Sequence, residues 1–139
     1  MKWLAPALVA GLTVCLGFAC GGGGGFVDAP VIEPPPNPGT FAVDWTIKHA
    51  SGSAATCMEV GANLFVANLK AQSNGQSSAA SFNCALGGAV SGALTPGTYD
   101  IGFTLAGSGS AIAMAMTQMG VVIQSDTTTR ILPVVFDVP

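Results

Sequence analysis

The fold is decided by the stretch ANLFVANLKAQSNGQSSAASFNC, residues 62–84. Two runs of alternating apolar and polar residues flank Asn74-Gly75, the dipeptide that most strongly favours a two-residue hairpin turn. Such a turn would place Phe65 opposite Cys84, and it sorts polar from apolar side chains. The segment therefore predicts a β-hairpin with one face in a core. That inward face would hold Phe65, Ala67, Leu69, Phe82 and Cys84.

The segment that precedes the hairpin has the same alternation. Residues 41–48 read FAVDWTIK. Every second residue is large and apolar, which is typical of a strand with one buried face. The predicted buried side chains are Phe41, Val43, Trp45 and Ile47.

A further hairpin is predicted after residues 94–99, LTPGTY. Pro96-Gly97 favours a type II turn, because Pro fixes φ at the second position and Gly supplies a positive φ at the third. A strand over 98–106 follows, and a loop over 107–110 would return the chain. The returning strand would pair Phe103 with Met114 and Ile101 with Met116.

Two more strands are predicted, at 120–124 and 128–138, the last being an edge strand or bulged because Pro133 lacks an N–H. About seven strands with frequent turns predict an all-β protein, a single antiparallel Greek-key β-sandwich over 41–139. The order of a Trp-bearing strand, Cys57, a second strand, Cys84 and LTPGTY resembles prealbumin-like or carboxypeptidase-regulatory-like modules. Such modules recur in lipoproteins of myxobacteria and related Gram-negative bacteria. The resemblance implies a non-catalytic binding or accessory role and no transferable active site.

The chain begins MKWLAPALVAGLTVCLGFAC, in which Lys2 precedes an apolar run. This arrangement predicts a secretory signal peptide over 1–19. A transmembrane anchor is the alternative, and the shortness of the run argues against it. Residues 16–20, LGFAC, resemble a bacterial lipobox, with Phe18 as a departure from the pattern. The resemblance implies lipidation of Cys20, whereas ordinary cleavage would leave a secreted protein with a spare thiol.

Residues 20–40 are predicted to form a tether. Five glycines follow Cys20, and three consecutive prolines begin at Pro34. Glycine runs are flexible and prolines favour extended backbone, so this linker would hold a domain away from a bilayer. An ordinary disordered terminus has the same composition. By resemblance to lipoprotein sorting, Gly21 in place of Asp implies the outer membrane.

The four cysteines divide by position. Cys15 would leave with the signal peptide and Cys20 would be acylated. Cys57 and Cys84 then remain as a pair in an exported domain, where oxidising conditions favour a disulfide.

Three other residue groups have alternative interpretations. Met114, Met116 and Met119 are soft ligands that suit Cu(I), but the predicted pairing packs the first two into the core. His49 is the only histidine, and a lone histidine makes no zinc site. Lys48 and Asp137 would lie on the first and last strands, although an isopeptide bond needs a buried lysine.

The sequence thus predicts a non-enzymatic envelope lipoprotein with no catalytic residues, no cofactor and no metal. Its partners would be the membrane, through Cys20, and an envelope protein or glycan. Only 8% of residues are charged, which argues against a nucleic-acid partner. A self-associating structural module and an unrecognised hydrolase or metal-binding protein are the alternatives, and the oligomeric state stays open.

Overall fold

The strands follow the predicted alternation of apolar and polar residues. The computed structural model describes residues 36–139, in which nine strands and one 3₁₀ turn, Cys84–Leu86, occur. The strands are β1 (Thr40–His49), β2 (Ala54–Ala55), β3 (Leu64–Ala71), β4 (Ser77–Asn83), β5 (Gly88–Val90), β6 (Gly97–Gly107), β7 (Ser110–Ile123), β8 (Thr128–Arg130) and β9 (Val134–Val138).

The strands form two sheets. One has the order β4-β3-β6-β7 and is antiparallel throughout. The other is built on β1, with β5 and β2 antiparallel to it and β8 and β9 parallel to it. The all-β sandwich-like fold is confirmed, but the strictly antiparallel description is wrong for the first and last strands. No hairpin joins these strands, so their direction is not constrained to be antiparallel.

The core lies between the two sheets and is centred on Phe65 of β3. Its ring stacks on that of Trp45 with centroids 4.1 Å apart, and it meets Phe136 edge-on at 5.9 Å. Each such pair contributes about 0.5–1.5 kcal/mol beyond its area burial. Among residues 36–139, the buried hydrophobic side chains of the core fall between Phe41 and Val138. Because Pro34–Pro139 is one compact unit with this core, it meets the usual definition of a domain.

The predicted buried face of the first strand is confirmed. The four apolar side chains that it was predicted to contribute to the core are at most 5% exposed. They are Phe41, Val43, Trp45 and Ile47.

The β3–β4 hairpin is present, but its loop is longer than predicted. Phe65 lies opposite Phe82, two positions from its predicted partner. A type I′ turn needs a positive φ at both central residues, and only Gly75 has one, at 70°. Asn74 instead accepts a hydrogen bond from the Gln76 backbone N–H through Oδ1, at 2.9 Å. A shift of two residues preserves the faces of both strands, so the predicted inward position of Cys84 is confirmed.

The β6–β7 hairpin begins in the predicted register and then departs from it. Ala106 lies opposite Ala111, but Thr104 lies opposite Met114 because a bulge intervenes. Each bulge adds one residue to β7 and reverses the face of those that follow. The prediction that Met114 and Met116 point inward is therefore wrong: they are 77% and 89% exposed. The separate strand predicted at 120–124 is the end of β7.

The approach to β6 also differs from prediction. Gly97 has a φ of 159° and already belongs to β6, whereas a type II turn requires about +80° at this position. The chain enters β6 from an isolated bridge between Gly39 and Leu94. The Tyr99 hydroxyl donates a hydrogen bond of 2.7 Å to the Thr95 carbonyl, and this contact holds the bend.

The C-terminal strand is interrupted as its proline requires. β8 and β9 are separated by residues 131–133, which end at Pro133. Both segments pair with β1 and with no other strand of the described part. Residues 36–139 also contain no helix with the length and apolar character that a membrane crossing requires.

Candidate functional site

An apolar groove lies along β1 where its neighbour changes from β5 to β2. β5 pairs with Ala42–Asp44 and β2 with Ile47 and Lys48, so Trp45 and Thr46 lie between two partner strands. The groove has a volume of about 600 Å³, within the range of small-ligand clefts. Its lining residues are Trp45, Thr46, Ile47, Ala54, Ala55, Thr56, Cys57, Met58, Cys84, Ala85 and Gly87.

Trp45 forms the floor of the groove. Its indole Nε1–H donates a hydrogen bond of 3.0 Å to the Cys84 carbonyl. Stacking on Phe65 fixes the plane of the ring. Because the one polar atom of the indole is satisfied internally, the part of Trp45 that lines the groove is apolar.

A disulfide joins Cys57 to Cys84 beside Trp45, with the two Cα atoms 6.0 Å apart. The predicted pairing is confirmed. The bond connects the loop before β3 to the end of β4 and closes a span of 27 residues. In the chain-entropy account, a loop of this length stabilises the folded state by about 3–4 kcal/mol.

The loop that carries Cys57 is held by a reciprocal pair of hydrogen bonds. The Glu59 carboxylate accepts the Thr56 backbone N–H at 2.7 Å, and the Thr56 hydroxyl accepts the Glu59 N–H at 3.3 Å. This is the capping-box arrangement. The backbone and hydroxyl donors of Thr56 lower the pKa of Glu59. Met58 is thereby held at the rim of the groove with 90% of its surface exposed.

The opposite rim is the 3₁₀ turn that follows β4. Asn83 caps this turn, because its Oδ1 accepts the Ala85 N–H at 2.9 Å. Gly87 ends it with a φ of 67°, a left-handed conformation that favours glycine. Leu86, between two lining residues, is left exposed.

The groove offers shape and apolar surface rather than charge. None of its lining residues carries a charge, so it offers no charged side chain to pair with a phosphate, a carboxylate or a cation. In the part of the chain that the structure describes, no group of three or more His, Cys, Asp or Glu side chains could hold a metal ion. The arrangement is suited to holding an uncharged apolar group by exclusion of water.

The other residues singled out in the sequence are dispersed. Cys20 lies outside the described residues, so its lipidation stays a prediction. His49 ends β1, where its Nδ1 lies 3.4 Å from the Pro139 carbonyl oxygen. Lys48 and Asp137 are neighbours in the β1–β9 register, and both are exposed. The buried lysine that isopeptide chemistry needs is not provided at that position.

The sequence does not predict the groove. The gap between β2 and β5 arises from tertiary pairing, which no local pattern reports. One local signal was present: Thr56 and Glu59 have the spacing of a capping box and flank a predicted disulfide cysteine. That spacing could have indicated an ordered loop beside Cys57.

No protein-family model and no curated protein matches this chain. Among solved structures, it is similar to the crystal structure of a leucine-rich repeat protein from Bacteroides thetaiotaomicron VPI-5482. The TM-score is 0.46 and the sequence identity 15%, over 76% of this chain and 14% of that chain. The chain therefore spans a small part of that protein's length, and a likeness at this level carries no argument about fold or function.

Proposed function

We propose that this protein is an exported lipoprotein, anchored in the cell envelope through Cys20, with a non-catalytic binding domain. In this proposal the groove beside Trp45 holds an extended apolar segment of an envelope partner protein. The observation that supports this proposal is the groove itself, an apolar cleft of about 600 Å³ stabilised by a disulfide.

The lining of the groove favours a protein segment over the other ligands considered. Nucleic acids and phosphorylated ligands need cationic partners, and the groove has none. A glycan would need polar partners and an open aromatic face, but Trp45 is 4% exposed. Met58 and Leu86, large apolar side chains at the two rims, are mostly exposed. Such side chains are typical of a surface that a partner covers.

Site-specific photo-crosslinking in intact cells tests the groove. A photoreactive phenylalanine analogue would replace Met58 in one variant and Leu86 in another. A third variant would carry it at Ser81, exposed on β4. We expect one shared adduct from the two rim positions, mapping by mass spectrometry to an apolar segment of one envelope protein, and no such adduct from Ser81.

A second substitution separates binding from general adhesion. Ala85→Glu places a carboxylate in the groove lining at an exposed position, so we expect it to abolish the adduct without unfolding the domain. An adduct of Ser81 with the same envelope protein in equal yield, or a rim adduct that survives Ala85→Glu, would contradict the proposed site.

The anchor is tested separately by detergent phase partitioning of cell extracts. Two or more acyl chains hold a protein stably in a membrane, so the native protein should enter the detergent phase. Cys20→Ser should remain in the aqueous phase. Equal partitioning of the two proteins would exclude the lipid anchor, and it would not bear on the binding role proposed for the groove.

A second candidate function is self-association, and β4 is the observation that favours it. β4 is an edge strand of the four-stranded sheet, and its residues Ser77–Asn83 include neither a charge nor a proline. Edge strands without these features readily pair with another strand. Light scattering should show a mass that rises with concentration and falls to the monomer in Ala79→Lys. A constant monomer mass would exclude this function.

A further inference from the structure

The three methionines of the MAMTQM segment fall on one face of β7, although their sequence spacing is irregular. Along β6, residues that point inward alternate with residues that point outward. Each β7 residue can therefore be assigned to a face from the β6 residue that lies opposite it. Met114 lies opposite Thr104. Met116 falls opposite Gly102, between the pairs formed by Ile101 and Phe103, and Met119 falls opposite Asp100. Tyr99, Ile101, Phe103 and Leu105 are buried, so all three methionines take outward positions.

The bulge at Gly102 produces this alignment, and a second bulge follows it at Asp100. Each places two β7 residues opposite one β6 residue, Met116 and Thr117 at Gly102 and Met119 and Gly120 at Asp100. Without the extra residues, Met116 and Met119 would fall on opposite faces of the strand. Gly120 has a φ of 68°, a conformation in which glycine is the usual residue at such bulges.

The exposure of the side chains supports the assignment. Met114, Met116 and Met119 are 77%, 89% and 69% exposed. The core of the described domain contains no methionine, although methionine is commonly buried. The three thioethers are thus available to solvent.

The spacing permits neighbouring thioethers to reach a common ion. The three opposing β6 residues, Thr104, Gly102 and Asp100, are two positions apart. At about 3.3 Å per residue, consecutive methionines are separated by about 6.6 Å along the strand and the outer two by about 13 Å, so one ion is held by Met116 together with either neighbour. Methionine has three rotatable bonds before its terminal methyl and adapts to irregular geometry. Met116, in the middle of the three, is the natural shared ligand.

We propose that Met114, Met116 and Met119 form a surface site for a soft monovalent metal ion, Cu(I) or Ag(I), with Met116 as its central ligand. Thioether sulfur is a soft donor that selects Cu(I) over the hard divalent cations. The site is separate from the Trp45 groove and does not depend on the function proposed for it.

Asp100 supplies a negative charge beside Met119 but is not a ligand of the site. Its carboxylate accepts the Gly120 N–H at 3.0 Å and the Gln72 side-chain amide at 2.7 Å. Carboxylate oxygen is a hard donor suited to other metals. Asp100 thus fixes the bulge that presents Met119.

The experiment is an Ag(I) titration of residues 21–139, followed by NMR of the methionine methyl groups. This part includes the whole compact unit and, of the cysteines, only the disulfide pair, so no free thiol competes for the metal. We expect the methyl signals of Met114, Met116 and Met119 to shift together and saturate at one ion per chain. Met58 lies outside the segment and is 90% exposed, so it is the internal control and should not shift.

Two variants of matched size complete the test. Leucine replaces methionine with little change of volume, so Met116→Leu and Met58→Leu should both fold as the native domain does. Met116→Leu should weaken Ag(I) binding at least tenfold, and Met58→Leu less than twofold. Equal shifts at all four methionines, no saturation at one ion, or equal effects of the two variants would overturn the site.

Discussion

The two outer strands of the four-stranded sheet, β4 and β7, show how far alternation predicts a structure. β4 pairs with β3 in one unbroken register from Leu64↔Asn83 to Lys70↔Ser77. β7 pairs with β6 through three register shifts. The predicted register was wrong for both, yet the faces of β4 were right and those of Met114 and Met116 were reversed. An error of two residues preserves faces, whereas a single inserted residue reverses them.

The largest effect expected from this difference is on stability. Phe103 is buried in the core between the sheets, whereas Met114, its predicted partner, is exposed. Phe103→Ala should lower the free energy of unfolding by about 3–5 kcal/mol, because it leaves a cavity. Met114→Ala should change it by less than about 0.5 kcal/mol, as surface substitutions do. Urea denaturation measures both, and a cost for Met114→Ala near that of Phe103→Ala would mean that this side chain is packed in the core.

The disulfide is a second difference between the two hairpins. It joins the segment before β3 to the end of β4 and does not involve β6 or β7. Replacing Cys57 and Cys84 together with Ala should lower the free energy of unfolding by about 3–4 kcal/mol. The expected loss comes mainly from the freedom gained by the unfolded chain. Urea denaturation of the double variant, with the reduced native protein as control, measures it. A change below about 1 kcal/mol would contradict this account, given the usual range for such bonds.

The bulge at Gly120 can be tested through its backbone conformation. Gly120→Ala should destabilise the protein by roughly 1–2 kcal/mol, the cost of a left-handed conformation for a residue with a Cβ. An added Cβ would meet nothing within 4 Å, so the effect is conformational. Gly102→Ala is the matched control on β6, where the new Cβ would make an ordinary contact of 3.5 Å with the Thr117 hydroxyl. Similar thermal midpoints for the two variants would argue against a left-handed Gly120.

The smallest expected effect is the pH dependence of the same bulge. The Gly120 N–H and then the Gln72 amide lower the pKa of Asp100 from its ordinary value of 3.8. A lowered carboxyl pKa means that the ionised form stabilises the bulge above pH 3.8, and that this contribution is lost as the pH falls through the folded-state pKa. The Gly120 amide resonance should follow this titration with a midpoint below 3.8. In Asp100→Asn the resonance should not titrate in this range; a midpoint at or above 3.8 in the native protein would contradict the contact.

The strand faces that the sequence predicted follow from a local pattern, the regular alternation of apolar and polar residues. Alternation identified the buried face of β1 and the faces of the β3–β4 hairpin. The number and positions of the cysteines identified the Cys57–Cys84 pair. The bulges of β7 could not be predicted. The position of an extra residue such as Met116 depends on the pairing with β6, which the local alternation of residues does not show. The groove could not be predicted either, because it arises where β5 and β2 meet β1 from distant parts of the chain.

Oxidation by hydrogen peroxide, followed by peptide mass spectrometry, tests most directly whether the bulges turn the β7 methionines outward. Thioethers that solvent reaches are oxidised to sulfoxides in the folded state. Met114, Met116 and Met119 should therefore react at rates comparable with that of exposed Met58, with the near-ultraviolet circular dichroism unchanged. If Met114 and Met116 reacted only as the protein unfolded, they would be packed inward, and the bulges would not turn the β7 methionines outward.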